Sequence, residues 1–334
     1  MRIGIVNDLP LAVEALRRVI SHEPAHQVIW TASDGLEALK LCGEQRPDVV
    51  LMDMLMPRMS GVEATQRIMA EYPCAILIVT SDIERNMNLV FEAMGHGALD
   101  VVNTPSLGES KSVDAAALLR KLHNIGWMIG QHGVKTVAAP PQTETTRKRE
   151  RIVAIGASAG GPASLVSLLN QLPEDFSAAV VLVQHVDEVF ALGMAQWLAS
   201  ETKLPVRLAQ QDDRPQPGEI LLAGTNNHLC MQANGLLSYC KEPAEQIYRP
   251  SIDVFFDSLV RHWQGDAVGV LLTGMGRDGA QGLKHMRERG FLTIAQDQAS
   301  CAVYGMPKAA AAIEAAVEIL PLNRIAPKLV KYYA

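Results

Sequence analysis

Arg151-Ile-Val-Ala-Ile-Gly-Ala-Ser-Ala-Gly-Gly-Pro162 is the stretch on which the reading of this chain turns. A β-branched apolar run ends in a glycine-rich turn carrying one serine, Ser158. Pro162 then stands where the first turn of a helix accepts proline, because the missing N–H has no helical partner there. A buried strand running straight into a helix is the unit of a parallel α/β sheet. It places the Ser158 hydroxyl at a strand tip, where a nucleophile can be exposed on a rigid support. Gly156-Ala-Ser-Ala-Gly160 formally fits G-x-S-x-G, but short glycine loops meet that pattern by chance. No lysine follows the glycines, so a P-loop is disfavoured. The loop alone is read equally well as a nucleophile turn or as a helix cap.

Outward from this loop the α/β pattern continues. Apolar strands are expected over 151–155, 179–184, 219–223, 267–273 and 291–295, with helices such as 163–171 and 251–263 between them. Asn234-Gly235, between Leu229–Gln232 and Leu236–Tyr239, signals a hairpin. Upstream, strands are expected over 2–6, 27–31, 48–52, 75–79 and 98–102, alternating with helices near 10–21, 35–44, 60–71, 84–94 and 112–128. Residues 131–150, with Pro140-Pro141, clustered threonines and mixed charge, have linker composition. The expected architecture is α/β throughout, two domains (1–130 and 151–334) each with a mainly parallel sheet flanked by helices, joined by the 131–150 linker. A length of 334 residues agrees, being more than one ordinary core supports.

Composition narrows the function. With 48% hydrophobic and 20% charged residues the chain is globular rather than disordered. A net charge of −6 argues against nucleic-acid binding and gives no support to a membrane surface. Arg147-Lys148-Arg149 is too short to alter that and reads as a solvated linker face. The five cysteines show no C-x-x-C spacing, so neither a disulfide framework nor a zinc site is expected. The start of the chain runs directly into the strand Arg2–Val6, and no apolar run reaches membrane-spanning length, so a cytoplasmic protein without membrane insertion is expected.

A serine at its ordinary pKa needs a base. Of nine histidines, His185 ends the next apolar strand, Val180-Val-Leu-Val-Gln-His185, and consecutive parallel strands often lie side by side. His228 also has an apolar setting but reads as a satisfied structural histidine. Asp278, in Thr273-Gly-Met-Gly-Arg-Asp-Gly279 after another buried strand, can orient the imidazole or, equally, cap the helix starting near Ala280. The order Ser–His–Asp is not that of α/β-hydrolases. In the first half, Asp8, Asp53 and Thr80-Ser81 fall at carboxyl ends of strands, where open parallel sheets bind ligands. Singly such acids are helix caps, whereas the Asp8 and Asp53 carboxylates together suit a hard cation such as Mg²⁺.

With Asp53-Met-Leu-Met-Pro57 and Gly61, residues 1–125 resemble the receiver domain of response regulators. The resemblance implies Asp53 as phosphoacceptor, Asp8 and Asp53 as Mg²⁺ ligands, and Thr80 as the hydroxyl sensing the phosphoryl group. Two positions depart from the pattern. Asn7-Asp8 stands for an acid pair, and Thr104-Pro105 for lysine-proline, which removes a carboxylate and an ammonium from the phosphosite. The loops around Ser158, Gln184-His185 and Thr273–Gly279, with Pro250-Ser-Ile-Asp-Val-Phe255, resemble the CheB family of chemoreceptor protein-glutamate methylesterases, and the Asn7-Asp8 and Thr104-Pro105 departures look most like its WspF branch.

That likeness implies a Ser158–His185–Asp278 triad, the amides of Ala159 and Met275 as an oxyanion hole, and no cofactor for the esterase. It implies methylated chemoreceptor helices as substrate, possible glutamine deamidation, and a CheA-like histidine kinase as phosphodonor. The receiver domain would shield the catalytic cleft until Asp53 is phosphorylated. The output would be feedback in a chemotaxis-like pathway, restraining a diguanylate cyclase if the branch is right. Competing readings are a non-catalytic response regulator acting as a binding module and a small-ester hydrolase. A DNA-binding regulator lacks a recognition-helix pattern and a basic face.

Overall fold

The structure is a computed structural model that describes residues 1–81, 83, 85–106, 113–130 and 150–334. The expected linker therefore lies, apart from Glu150, outside the described residues. The chain divides into two compact units, Met1–Gln131 and His132–Ala334.

The first unit runs β1 (Arg2–Val6), α1 (Pro10–Ile20), β2 (Gln27–Ala32), α2 (Gly35–Glu44), β3 (Val49–Met52), α3 (Gly61–Glu71), β4 (Ala75–Thr80), α4 (Met87–Gly95), β5 (Asp100–Asn103), α5 (Val113–Gly130). Its five strands are all parallel, in the order β2-β1-β3-β4-β5. Continuous apolar runs such as Val49–Met52 and Ala75–Thr80 are buried residue by residue, as helices on both faces require. Asp34 and Ser60 accept the Glu37 and Glu63 amides at 3.0 and 3.3 Å, which starts α2 and α3 where the sequence places them.

The second unit continues with β6 (Arg151–Ala157), α6 (Gly161–Leu169), β7 (Ala179–Gln184), α7 (Glu188–Glu201), β8 (Val206–Leu208), β9 (Ile220–Leu222), β10 (His228–Met231), β11 (Leu237–Cys240), α8 (Ile252–His262), β12 (Asp266–Leu271), α9 (Ala280–Glu288), β13 (Leu292–Gln296), α10 (Met306–Ala312), β14 (Glu318–Leu320) and α11 (Leu322–Tyr333). Seven strands form a parallel sheet in the order β14-β13-β12-β6-β7-β9-β8. From β6 the chain builds outward on one side, then returns through β12 and builds on the other. The direction of winding therefore reverses between β6 and β12, the crevice where such sheets place their ligands.

β10 and β11 form the expected hairpin, closed by Gly235 N–H donating to the Gln232 carbonyl at 3.0 Å, with Gly235 at φ 77°. One expectation is corrected here. Cys230 and Cys240 are joined as a disulfide across this hairpin. Their separation of 10 residues forms no motif, and it is the turn between them that folds one strand back onto the other.

The chain end closes the foot of the sheet. Arg151 and Ser177 both donate to the Tyr333 carbonyl, at 2.6 and 3.0 Å, and the Tyr333 hydroxyl donates to the Ile152 carbonyl at 3.0 Å. Tyr333→Phe removes that bond together with the hydroxyl's longer contact to the Asp266 carbonyl at 3.5 Å and is expected to cost about 1 kcal/mol, read as a lower urea midpoint. An unchanged midpoint would show that the hydroxyl carries no net stability.

Candidate active site and phosphosite

Ser158 follows β6 directly and His185 follows β7. Their predecessors Ala157 and Gln184 are register partners, so the two residues leave neighbouring strands roughly 4.8 Å apart. The helix-cap reading of Ser158 is not what the chain adopts. The N-cap of α6 is Gly160, at φ 76° and without a side-chain bond, while the Ser158 carbonyl takes the Gly161 N–H at 2.7 Å. Glycine is required next to it, since a Cβ on Gly161 would fall 2.1 Å from the Gln184 amide oxygen.

Asp278 resolves in the same way. The N-cap of α9 is Gly279, again left-handed and without a side-chain bond. The Asp278 carboxylate turns instead to the N-terminus of α8. There it accepts Ser251 Oγ–H at 2.8 Å, Ile252 N–H at 2.6 Å and Asp253 N–H at 3.2 Å. His185 Nε2 donates to it at 2.8 Å. Burial pushes this carboxyl up, but the His185 bond and charge with the Ile252 and Ser251 donors outweigh it and hold it below the ordinary carboxylate range. It is an anion at a helix N-terminus, the end that favours negative charge.

Asp253 returns the favour by accepting the Gly282 N–H of α9 at 2.7 Å. Its own carboxyl is raised well above the ordinary range by burial and by the Asp278 charge.

With Nε2 protonated towards Asp278, the nitrogen left to His185 as a base is Nδ1. Among the described residues no hydrogen bond joins it to Ser158 Oγ; such contacts are commonly long before substrate arrives. Tyr248 stacks on the imidazole, with ring centroids 4.5 Å apart and planes at 14°. Neither the Ala159 nor the Met275 amide has an acceptor among the described residues, which leaves both for an oxyanion.

Sequence reasoning missed the parts that hold these groups. Gln184 Nε2 donates to the carbonyls of both Ser158 and His185, at 3.0 and 3.3 Å. Thr273 Oγ1 donates to the Ala159 carbonyl at 2.9 Å and accepts the Val303 N–H at 2.9 Å. Gly305 and Met306 amides fasten the Gly274 carbonyl at 3.1 and 2.8 Å. The segment before α10 therefore fixes the Met275 turn. Only Gly305-Met-Pro307, a second glycine–proline helix start, hints at it in the sequence.

In the first unit, Asp8, Asp53, Thr80 and Thr104 lie at the carboxyl ends of β1, β3, β4 and β5, four consecutive strands. A Cβ on Gly61 would lie 2.0 Å from the Asp53 carbonyl, which explains the glycine after Asp53–Pro57. The Asp53 carboxyl is pushed up to about 6, first by burial and then by the Asp8 charge, against the Met54 N–H bond at 2.7 Å. A pair of carboxylates strained in this way fits a divalent cation, which would neutralise both. Asn7 is buried with its side-chain oxygen on the Leu9 N–H at 2.9 Å, so its amide closes a turn instead of adding a charge. Thr80 is buried and accepts Asn86 Nδ2 at 3.0 Å, while Thr104 donates its N–H to the Thr80 carbonyl at 3.0 Å. No group of three or more acidic, histidine or cysteine side chains suited to a metal occurs among the described residues. Nor is any described helix long and apolar enough to cross a membrane.

Comparison with known proteins agrees with this division. Residues 153–329 match the CheB methylesterase family and residues 3–118 the response regulator receiver domain. The chain is 68% identical, over all of both proteins, to protein-glutamate methylesterase/protein-glutamine glutaminase 3 of Pseudomonas aeruginosa. It is 60% identical to protein-glutamate methylesterase/protein-glutamine glutaminase 2 of Cupriavidus metallidurans, over 99% of this chain and 98% of the other. The crystal structure of the Thermotoga maritima CheB methylesterase catalytic domain matches at 34% identity and TM-score 0.53, covering 55% of this chain and 98% of that one.

Proposed function

The chain belongs to the CheB methylesterase family with a receiver domain in front, and on that premise we propose that Ser158, His185 and Asp278 carry a phosphorylation-regulated protein-glutamate methylesterase and protein-glutamine glutaminase activity. The observation that carries the residue assignment is the His185–Asp278 bond at the strand tip beside Ser158.

His185 Nδ1 takes the Ser158 proton as Oγ attacks the γ-carbonyl of a receptor glutamyl methyl ester. The Asp278 anion stabilises the imidazolium so formed and keeps the ring from turning. The Ala159 and Met275 amides donate to the tetrahedral oxyanion. Collapse breaks the C–OCH₃ bond, and His185 returns its proton to the leaving oxygen, releasing methanol. Water, deprotonated by the same nitrogen, then attacks the acyl-serine and frees glutamate and Ser158. With receptor glutamine the leaving group is ammonia and the steps are otherwise the same. No cofactor takes part.

The substrate partner is the cytoplasmic helical region of a methylated chemoreceptor, and the phosphodonor a CheA-like histidine kinase, which places the protein in the cytoplasm. Asp53 accepts the phosphoryl group and Thr80 senses it; Asp8 with Asp53 would hold Mg²⁺, which would supply positive charge to the phosphoryl oxygens. Thr104 brings no ammonium to this site, so its side chain offers the phosphoryl group no positive charge. Phosphorylation relieves inhibition of the esterase by the receiver unit. A small phosphodonor with Mg²⁺ is expected to raise methanol release from methylated receptor membranes roughly tenfold, a coupling of about 1.4 kcal/mol. Asp53→Asn is expected to keep the basal rate without the rise. Equal stimulation of both would remove Asp53 from the account.

A further inference from the structure

Behind Asp278 lies a buried histidine that the steps above do not use. His228 opens β10 and has no exposed surface. Both ring nitrogens are engaged. Nε2 donates to the Pro243 carbonyl at 3.2 Å, and Nδ1 accepts the Ser251 backbone N–H at 3.1 Å. This pair of bonds needs the neutral ring protonated on Nε2, because an imidazolium would set N–H against N–H at Ser251. The charged and titratable groups around it are Arg249, Asp278 and Glu242. Burial is the largest influence and, with the Arg249 cation, favours the neutral ring; the Pro243 bond and the two carboxylates work against it.

Ser251 is where this histidine meets the esterase site. Its N–H is held by His228, its Oγ–H goes to Asp278 Oδ1, and the same oxygen accepts the Val254 N–H at 3.3 Å as the N-cap of α8. The next amide, Ile252 N–H, goes to Asp278 Oδ2, the oxygen that also takes His185 Nε2. An unbroken run of hydrogen bonds thus passes from Pro243 through His228, Ser251 and Asp278 to His185. A shift of Ser251 would move donors to both oxygens of the carboxylate at once.

We propose that His228 is a positioning residue of the esterase: held between Pro243 and Ser251, it fixes the first turn of α8 and so the orientation of Asp278 and His185. The proposal rests on the triad reading above. It acts on the reacting groups only through Ser251, and a misplacement of about 1 Å at such a site can cost about 10²-fold in rate.

Two near-isosteric variants of the full chain separate positioning from mere packing. His228→Asn keeps an acceptor near the Nδ1 position, facing Ser251. His228→Gln keeps a polar group near the Nε2 position, facing Pro243. Both leave a polar side chain of similar burial, so simple destabilisation affects them alike. Two readings are taken on the folded fraction: kcat and KM for methanol release, and the rate at which a serine-directed organophosphonate modifies Ser158.

His228→Gln is expected to lower kcat and the modification rate by about 10- to 100-fold with KM within about twofold, while His228→Asn stays within about threefold of native. Equal loss in both variants, or native kcat in His228→Gln, would overturn the proposal. Failure of the triad reading looks different: methanol release would survive Ser158→Ala whatever residue stands at 228, and the proposal would fall with it.

Discussion

Ser158→Ala is expected to lower kcat for receptor demethylation by about 10⁴-fold or more, with KM nearly unchanged. The serine lies on a turn whose backbone is fixed independently of its side chain. The Gly161 N–H and the Gln184 amide hold its carbonyl, and its own N–H donates to the Thr273 carbonyl at 3.1 Å. Deleting Oγ therefore removes the attacking atom and leaves the turn, the Ala159 and Met275 amides and the substrate surface in place. What remains is catalysis by binding and oxyanion stabilisation alone. Steady-state methanol release at saturating receptor reads this directly. A loss in KM instead of kcat would make Ser158 a binding residue.

Asp278→Asn is expected to cost about 10⁴-fold in kcat as well, for a different reason. An amide matches the carboxylate in shape but offers one oxygen where four donors now converge: Ser251 Oγ, Ile252 N, Asp253 N and His185 Nε2. If the oxygen takes the Oδ1 position, where Ser251 Oγ–H and Asp253 N–H donate, the NH₂ group faces both His185 and the Ile252 N–H. The ring then presents a bare Nε2 to it and carries its proton on Nδ1, the nitrogen that must be free to deprotonate Ser158. The charge that stabilised the imidazolium is lost too. Ser251, the N-cap of α8, and the Asp253 N–H keep their acceptor, and the neutral amide no longer raises the neighbouring Asp253 carboxyl by repulsion, so the variant is expected to fold. A kcat within about tenfold of native would show that Asp278 serves α8 rather than catalysis.

The sequence carried most of the strand pattern and left the site half open, and the reasons are physical. Long apolar runs such as Ala178–Val183 announce buried parallel strands by composition alone. β8 and β14 went unseen because three residues are too few for a period and each lies at a sheet edge, partly wet. At Ser158 and Asp278, cap and catalytic readings were balanced because both need a polar residue before a helix. The structure separates them through Gly160 and Gly279, which occupy the cap positions in a left-handed conformation and free the preceding side chains. Gln184, Ser251 and Thr273 reach Ser158, Asp278 and Ala159 across 26 residues or more of sequence, and nothing local marks these partners.

The departures at Asn7 and Thr104 also gain meaning from their surroundings. Asn7 is tied into the turn that presents Asp8, and Thr104 continues the β4–β5 ladder through its backbone. Both serve the fold of the proposed phosphosite without bringing charge to it. This leaves the Asp8–Asp53 pair as its carboxylate donors.

Ser158 is expected to pass through an acyl-enzyme with a receptor glutamyl group. The most direct test is acid-quenched single-turnover reaction of the native chain with receptor fragments isotopically labelled in the methylated glutamyl residue, followed by peptide mapping. Label is predicted to appear on the peptide Arg151–Pro162 at Ser158 as methanol is released, and to leave it as free glutamyl product forms. Methanol release with label on another residue, or undiminished release by Ser158→Ala, would contradict the account.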